Sequence, residues 1–170
     1  APSRGLGDVY KRQIDSDLDS IQEMRNLIQN AQISFLQLQN LEQNELNVYG
    51  EKFIDEIEKE ADGLIKDFIS GNQYGLESDE IFLFHHFLDK FKQTIQQENY
   101  IGILEGDIGE KTIEIGAPLG VISVLLPAFP TFTLLVNIIL LAMKSGNTMV
   151  VVANKHTKEV TIEAVSYTHL

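Results

Sequence analysis

Apolar positions in the first hundred residues recur at steps of three and four, a period that predicts helices. Leu18, Ile21, Met24, Ile28, Ala31 and Phe35 trace one stripe and predict a helix from Ser16 to about Leu38, with Ser16 or Asp17 as its cap. A second stripe of Leu46, Tyr49, Phe53, Ile57, Ala61, Leu64 and Phe68 predicts a helix over Glu42 to Ser70. Its acids from Asp55 to Glu60 face outward, and Gly71 and Asn72 end it. After the turn at Gly75, Ser78 is the candidate cap of a third helix with the stripe Ile81, Phe84, Leu88, Phe91 and Ile95, ending near Gln97.

Beyond Gln97 the period shortens to two. Tyr100 to Leu104 and Lys111 to Ile115 are β-branched and alternating around the turn-rich EGDIGE, which predicts a β-hairpin with Ile113 and Ile115 on one face. Gly116 to Ser145 is then almost wholly apolar, and a membrane span and a buried core compete as readings. A span needs about 20 unbroken apolar residues. Pro118, Pro127 and Pro130 instead divide this stretch into a strand, Gly120 to Leu126, and a helix, Thr131 to Met143. Gly146 closes that helix, and Thr148 to Ala153 reads as a second apolar strand. Two apolar strands joined by a helix predict a parallel pair covered on both faces, with ligands beyond the strands' C-terminal ends.

The two ends carry a separate signal. Asp8 to Gln13 reads DVYKRQ, encodable as GAT GTG TAT AAG AGA CAG. The reverse complement of that DNA, read from its third base, encodes VSYTH, the residues Val165 to His169 that precede Leu170. One short DNA element read on opposite strands accounts for both. It resembles the end of a transposase-based sequencing adapter, and Ser3 to Gly7 resembles the adapter arm before it. Residues 1–13 and 165–170 are therefore expected to be non-native; a basic tail and a natural C-terminus are the alternative. The remainder, Ile14 to Ala164, is long enough for one domain or for part of a larger one.

Charge narrows the classes of partner. The formal net charge is −12, and setting aside Arg4, Lys11, Arg12 and Asp8 with the first segment leaves 10 basic against 24 acidic residues, or −14. So acidic a surface disfavours nucleic acid and anionic membrane, and a cytoplasmic protein is expected. No secretory signal is visible, since Ile14 to Gln39 is polar and amphipathic. The absence of cysteine excludes a disulfide framework and a thiol nucleophile within this chain. His85 and His86 are neighbours on a helix, about 100° apart, so they cannot chelate together and no metal is expected. The acids of EIEKEADG and from Glu105 to Glu110 read as solvated faces.

The stretch GVISVLLPAFPTFTLLVNIILLAMKSGNT resembles the aldehyde dehydrogenase superfamily, in which N-terminal helices lead through a hairpin into a Rossmann-like domain. More narrowly, DLDSIQEMRNLIQNAQ, IGILEGDIGEKTIEIGAPLGVI and the closing TIEA resemble the CoA-acylating members, and the resemblance covers residues 16–164. It implies an α/β fold with a helical region at 14–99, a hairpin at 100–116 and the start of a nucleotide-binding domain at 117–164. It also implies oxidation of a small aldehyde with NAD (or NADP) and CoA, through a cysteine thiohemiacetal, to acyl-CoA and NADH. The cysteine would lie beyond Ala164, so no catalytic residue is assigned here, and the whole protein is expected to assemble from identical copies.

Several positions depart from the family's pattern. Aldehyde-oxidising members carry a ribose-binding lysine five residues after the asparagine of GN, where this chain has Val152, which favours the acylating branch. Acylating members resemble PxxNPT after the first strand; here Pro127, Ala128, Phe129, Pro130 and Thr131 stand, with proline in place of an asparagine that could donate to an oxyanion. Their SPHP becomes Val152, Ala153, Asn154, Lys155. The cofactor-binding candidates are Pro127, Ala128, Phe129, Pro130, Thr131, Asn154 and Lys155. For each group a structural turn or solvated loop is the competing reading. Within the superfamily, an acyl-phosphate reductase of the glutamyl-phosphate type shares the phrase KSGN at Lys144 to Asn147. A non-catalytic scaffold with the same fold is a third reading.

Overall fold

The computed structural model describes residues 4–72, 75–107, 112–127, 131–153, 156–166 and 168. Three helices lead, α1 (Arg4–Leu38), α2 (Gln43–Asn72) and α3 (Glu77–Gln93), and a 3₁₀ turn over Ile95–Gln97 follows. Next come a hairpin of β1 (Gly102–Asp107) and β2 (Thr112–Gly116), then β3 (Val121–Leu125), α4 (Phe132–Lys144), β4 (Thr148–Val152) and α5 (Lys158–Ser166). The expected α/β organisation is present. β1 and β2 pair antiparallel, whereas β3 and β4 pair parallel with Val121 opposite Thr148 and Leu125 opposite Val152.

The core lies where α2, α3, α4 and α5 meet. Leu46, Phe53, Ile57, Ala61, Leu64 and Phe68 of the α2 stripe are buried as expected, and Ile54 and Ile65 join them. A helix packed against two others needs a stripe wider than one row. Tyr49 is a correction: it is exposed, with the Lys52 ammonium 5.7 Å above its ring. The α2 helix also runs through Gly71 to Asn72 instead of stopping before them. A Cβ on Gly71 would run into the carbonyl of His156, so glycine here lets the segment before α5 approach. In α3, Phe84, Leu88 and Phe91 are buried as the pattern required.

The expected caps of the first and third helices are not used. Ser16 and Asp17 lie inside α1, which continues back to Arg4. Leu76 takes the N-cap place of α3 with no side-chain hydrogen bond, and Ser78 donates to Asp79 within the first turn. Glu77, Asp79 and Glu80 instead bring negative charge to that turn, which the helix dipole favours.

The α1 stripe is the larger departure. Thr148 donates to the carbonyl of Ala31 at 2.9 Å, and the ring of Phe35 sits beside Gly120, so the C-terminal half of α1 lies against the parallel strands. Leu18, Ile21, Met24 and Ile28 are exposed. A helix of 35 residues reaches far beyond two strands spaced about 4.8 Å apart. Met149 and Val151 pack against the core that includes α4, so the strand pair has a helix on each side.

The hairpin's first strand runs to Asp107, taking in residues that read as turn. Ile103 pairs with Ile115, and with Ile113 the three form one exposed apolar face. Helix α5 was not foreseen; its buried Thr161 and Ala164 follow buried Thr157 at helical spacing, the one signal available.

Candidate functional site

Both ends of α4 are capped by residues that adjoin it, and α3 adds an acceptor at the N-terminal end. At the C-terminal end, Ser145 is the cap and Gly146 takes a left-handed φ of 66°. The Gly146 N–H donates to the Met143 carbonyl at 3.1 Å and the Asn147 N–H to the Ala142 carbonyl at 2.9 Å, the paired bonds of a Schellman turn. That turn aims the Asn147 side chain back across the unit. Its Oδ1 accepts from the backbone N–H of Leu119 at 2.7 Å and of Gly120 at 2.9 Å, while its Nδ2 donates to Ser145 Oγ at 2.7 Å. The phrase GN therefore ties the entry of β3 to the start of β4.

At the N-terminal end, Thr131 is the cap in an extended conformation, and its Oγ1 accepts from the Leu134 N–H at 3.0 Å. Glu80 from α3 supplies a second acceptor: its Oε1 takes the Thr133 N–H and the Thr133 hydroxyl, each at 2.9 Å. Thr133 is buried. Between the two ends, Leu125 opposite Val152 completes the strand pairing, and the Leu126 N–H donates to the Val152 carbonyl at 3.1 Å.

A third polar cluster anchors the hairpin. Gln43 Oε1 accepts from the N–H groups of Tyr100 and Ile101 at 2.7 and 3.0 Å, and its Nε2 donates to the Lys144 carbonyl at 3.0 Å. Lys144, 5% exposed, directs its ammonium to the Gln96 carbonyl at 2.7 Å and to Asn47 Oδ1 at 3.2 Å, with the Tyr100 ring 5.5 Å away.

Burial pushes the Lys144 ammonium below its ordinary 10.5, with Glu98 opposing. Between that lowered value and 10.5 the unfolded chain holds a proton that the folded chain has released, so stability rises with pH across the window. Burial raises Tyr100 above 10.0, an effect of opposite sign that wild type and a Lys144 variant share. Urea unfolding of Lys144→Met and wild type over a pH series should therefore show the difference shifting toward wild type as pH approaches 10.5. A difference independent of pH would refute this assignment.

Of the sequence-derived candidates, Pro127 is exposed just past β3, and Thr131 spends its hydroxyl on capping α4. Ala128, Phe129, Pro130, Asn154 and Lys155 lie outside the described residues. Glu80 and Gln43 were not singled out, and Lys144 entered only as the first residue of the phrase KSGN; a lone lysine ending the apolar run FTLLVNIILLAMK is the signal for its burial. His85 lies 3.9 Å from Asp62, and His86 stacks on Phe82 with ring centroids 6.1 Å apart. Among the described residues, no group of three or more His, Cys, Asp or Glu stands together for a metal, and no helix is long and apolar enough to cross a membrane.

No protein-family model and no curated protein matches the sequence. Solved structures do. A probable aldehyde dehydrogenase from Listeria monocytogenes EGD-e superposes with a TM-score of 0.82 at 25% identity, over 89% of this chain and 34% of its own. An acetylating aldehyde dehydrogenase from Geobacillus thermoglucosidasius gives 0.81 at 24% identity, with the same 89% and 34%. A gamma-glutamyl phosphate reductase from Thermotoga maritima gives 0.66 at 16% identity, over 86% of this chain and 38% of its own. The chain thus spans about a third of the length of the structures it matches, and its fold is that of the aldehyde dehydrogenase type.

Proposed function

We propose that this chain is the opening part of an oxidoreductase that converts a small aldehyde to its acyl-CoA with NAD, through a cysteine thiohemiacetal. The parallel β3–α4–β4 unit, within a fold that superposes on the probable aldehyde dehydrogenase from Listeria monocytogenes EGD-e at a TM-score of 0.82, carries this reading. The described strand ends, Leu125 to Pro127 and Val152 to Ala153, are uncharged, which suits the flat nicotinamide and a small aldehyde. NAD, when bound, accepts the hydride; the chain's part is to shape the surface beyond the strands. The acetylating neighbour supports CoA in place of inorganic phosphate as the acyl acceptor, since the phosphate reductase superposes less closely, at 0.66 against 0.81.

A thiolate can attack an aldehyde carbonyl and leave again when a second thiol arrives, which a hydroxyl does poorly. This chain has no cysteine, so by itself it should not reduce NAD in the presence of acetaldehyde and CoA. The protein encoded with its continuation past Ala164 should carry a cysteine in a strand-flanked loop and form NADH, with that activity lost on Cys→Ser. A continuation without cysteine, or activity that survives Cys→Ser, would sink the proposal.

A further inference from the structure

Beyond β4 the described chain resumes at His156, against the last turn of α2. Gly71 stands in that turn, and a Cβ there would run into the His156 carbonyl oxygen. A backbone carbonyl cannot swing aside as the end of a long side chain can, so alanine at 71 would displace the chain at His156. The residues that follow are packed closely. Thr157, Thr161 and Ala164 are 1%, 3% and 0% exposed, and the Thr161 N–H donates to the Thr157 carbonyl at 2.9 Å. The other glycines of α2 have no such neighbour: a Cβ on Gly50 or Gly63 would meet nothing within 4 Å.

We infer that Gly71 is a positioning residue for the cofactor: by admitting the His156 carbonyl to the end of α2, it sets where the chain stands past the C-terminal end of β4. Ligands of a parallel sheet bind beyond such strand ends. That the ligand is NAD rests on the function proposed above, while the contact does not. Gly71 acts through backbone alone, from one residue short of the end of α2. A misplacement of about 1 Å by a change far from the chemistry can cost as much as ~100-fold. The end of a helix yields more readily than its middle, so a loss of about tenfold is the expectation here. The β3 side of the opening is held separately, by the Thr131 cap and by Glu80 at the start of α4. Displacing His156 should therefore weaken cofactor binding while the start of α4 stays in place.

The test measures NADH binding to the protein with its continuation past Ala164, through the fluorescence of the bound dihydronicotinamide. Gly71→Ala should raise the Kd about tenfold, and Gly63→Ala in the same helix should leave it within about twofold of wild type. Alanine is the better helix former, so Gly63→Ala should also raise Tm, which separates a positional effect from a general effect of alanine in α2. A Gly71→Ala Kd equal to wild type, an equal loss in Gly63→Ala, or a wild type that binds no NADH would each overturn the inference. Should Gly71→Ala fail to fold, hydrogen exchange in the wild type decides. NADH should slow exchange in the peptide 156–164 and leave exchange around Gly63 unchanged; an unaltered 156–164 overturns the inference. A protein that binds NADH but forms none from NAD, acetaldehyde and CoA would refute the function proposed above and leave the role of Gly71 standing, so either claim can fail without the other.

Discussion

Replacing Phe132 with alanine is expected to lower stability by about 3–5 kcal/mol, enough to unfold most of a chain of ordinary marginal stability. Phe132 is 0% exposed and opens α4. Its ring meets Phe68 of α2 edge-on at 6.1 Å and 70°, and Phe84 of α3 at 5.4 Å and 52°. One side chain therefore joins three helices, and alanine there removes both ring pairs and leaves a cavity that no single helix can collapse to fill. The comparison is Phe82→Ala, since Phe82 is 73% exposed and should change stability by roughly 0.5 kcal/mol or less. Urea unfolding followed by circular dichroism measures both. A Phe132→Ala loss below about 1 kcal/mol would mean that the three helices do not share this core.

The second large effect belongs to Asn147. Asn147→Ala should cost about 2–3 kcal/mol, because it removes the acceptor of two backbone donors and leaves the buried Gly120 N–H unsatisfied. Asn147→Asp keeps the acceptor but loses the bond from Nδ2 to Ser145, so its cost should be smaller. Hydrogen exchange adds a local readout: the Gly120 amide should exchange much faster in Asn147→Ala than in wild type, ahead of any change in α2. Equal exchange at Gly120 in the two proteins would show that the side chain does not hold the entry to β3.

Much of the fold could be read from local pattern. The stripes of α2 and α3 marked their buried faces because a helix in a core must present apolar residues at its own period. The prolines at 118, 127 and 130 and the glycine at 146 separated strand from helix within an apolar run, since each acts on its own backbone whatever surrounds it. The same locality explains Asn147: once Gly146 makes the Schellman turn, the next side chain is aimed, though its partners 27 and 28 residues upstream were not legible.

The periodicity, turn chemistry and βαβ order were thus determined by the sequence itself, because they depend on residues within a turn or two of one another. Only the tertiary structure decided that the first half of the α1 stripe stays uncovered, that Tyr49 faces water, that Ser16 lies within α1, and that Leu76 takes the cap place expected of Ser78. It likewise decided that Gln43 reaches across 101 residues to the Lys144 carbonyl, and Glu80 across 53 to Thr133. An amphipathic stripe states that a face can be buried, and a carboxylate states that it can accept a bond. Which neighbour meets either is set by how whole elements dock, through packing that no short window of sequence contains.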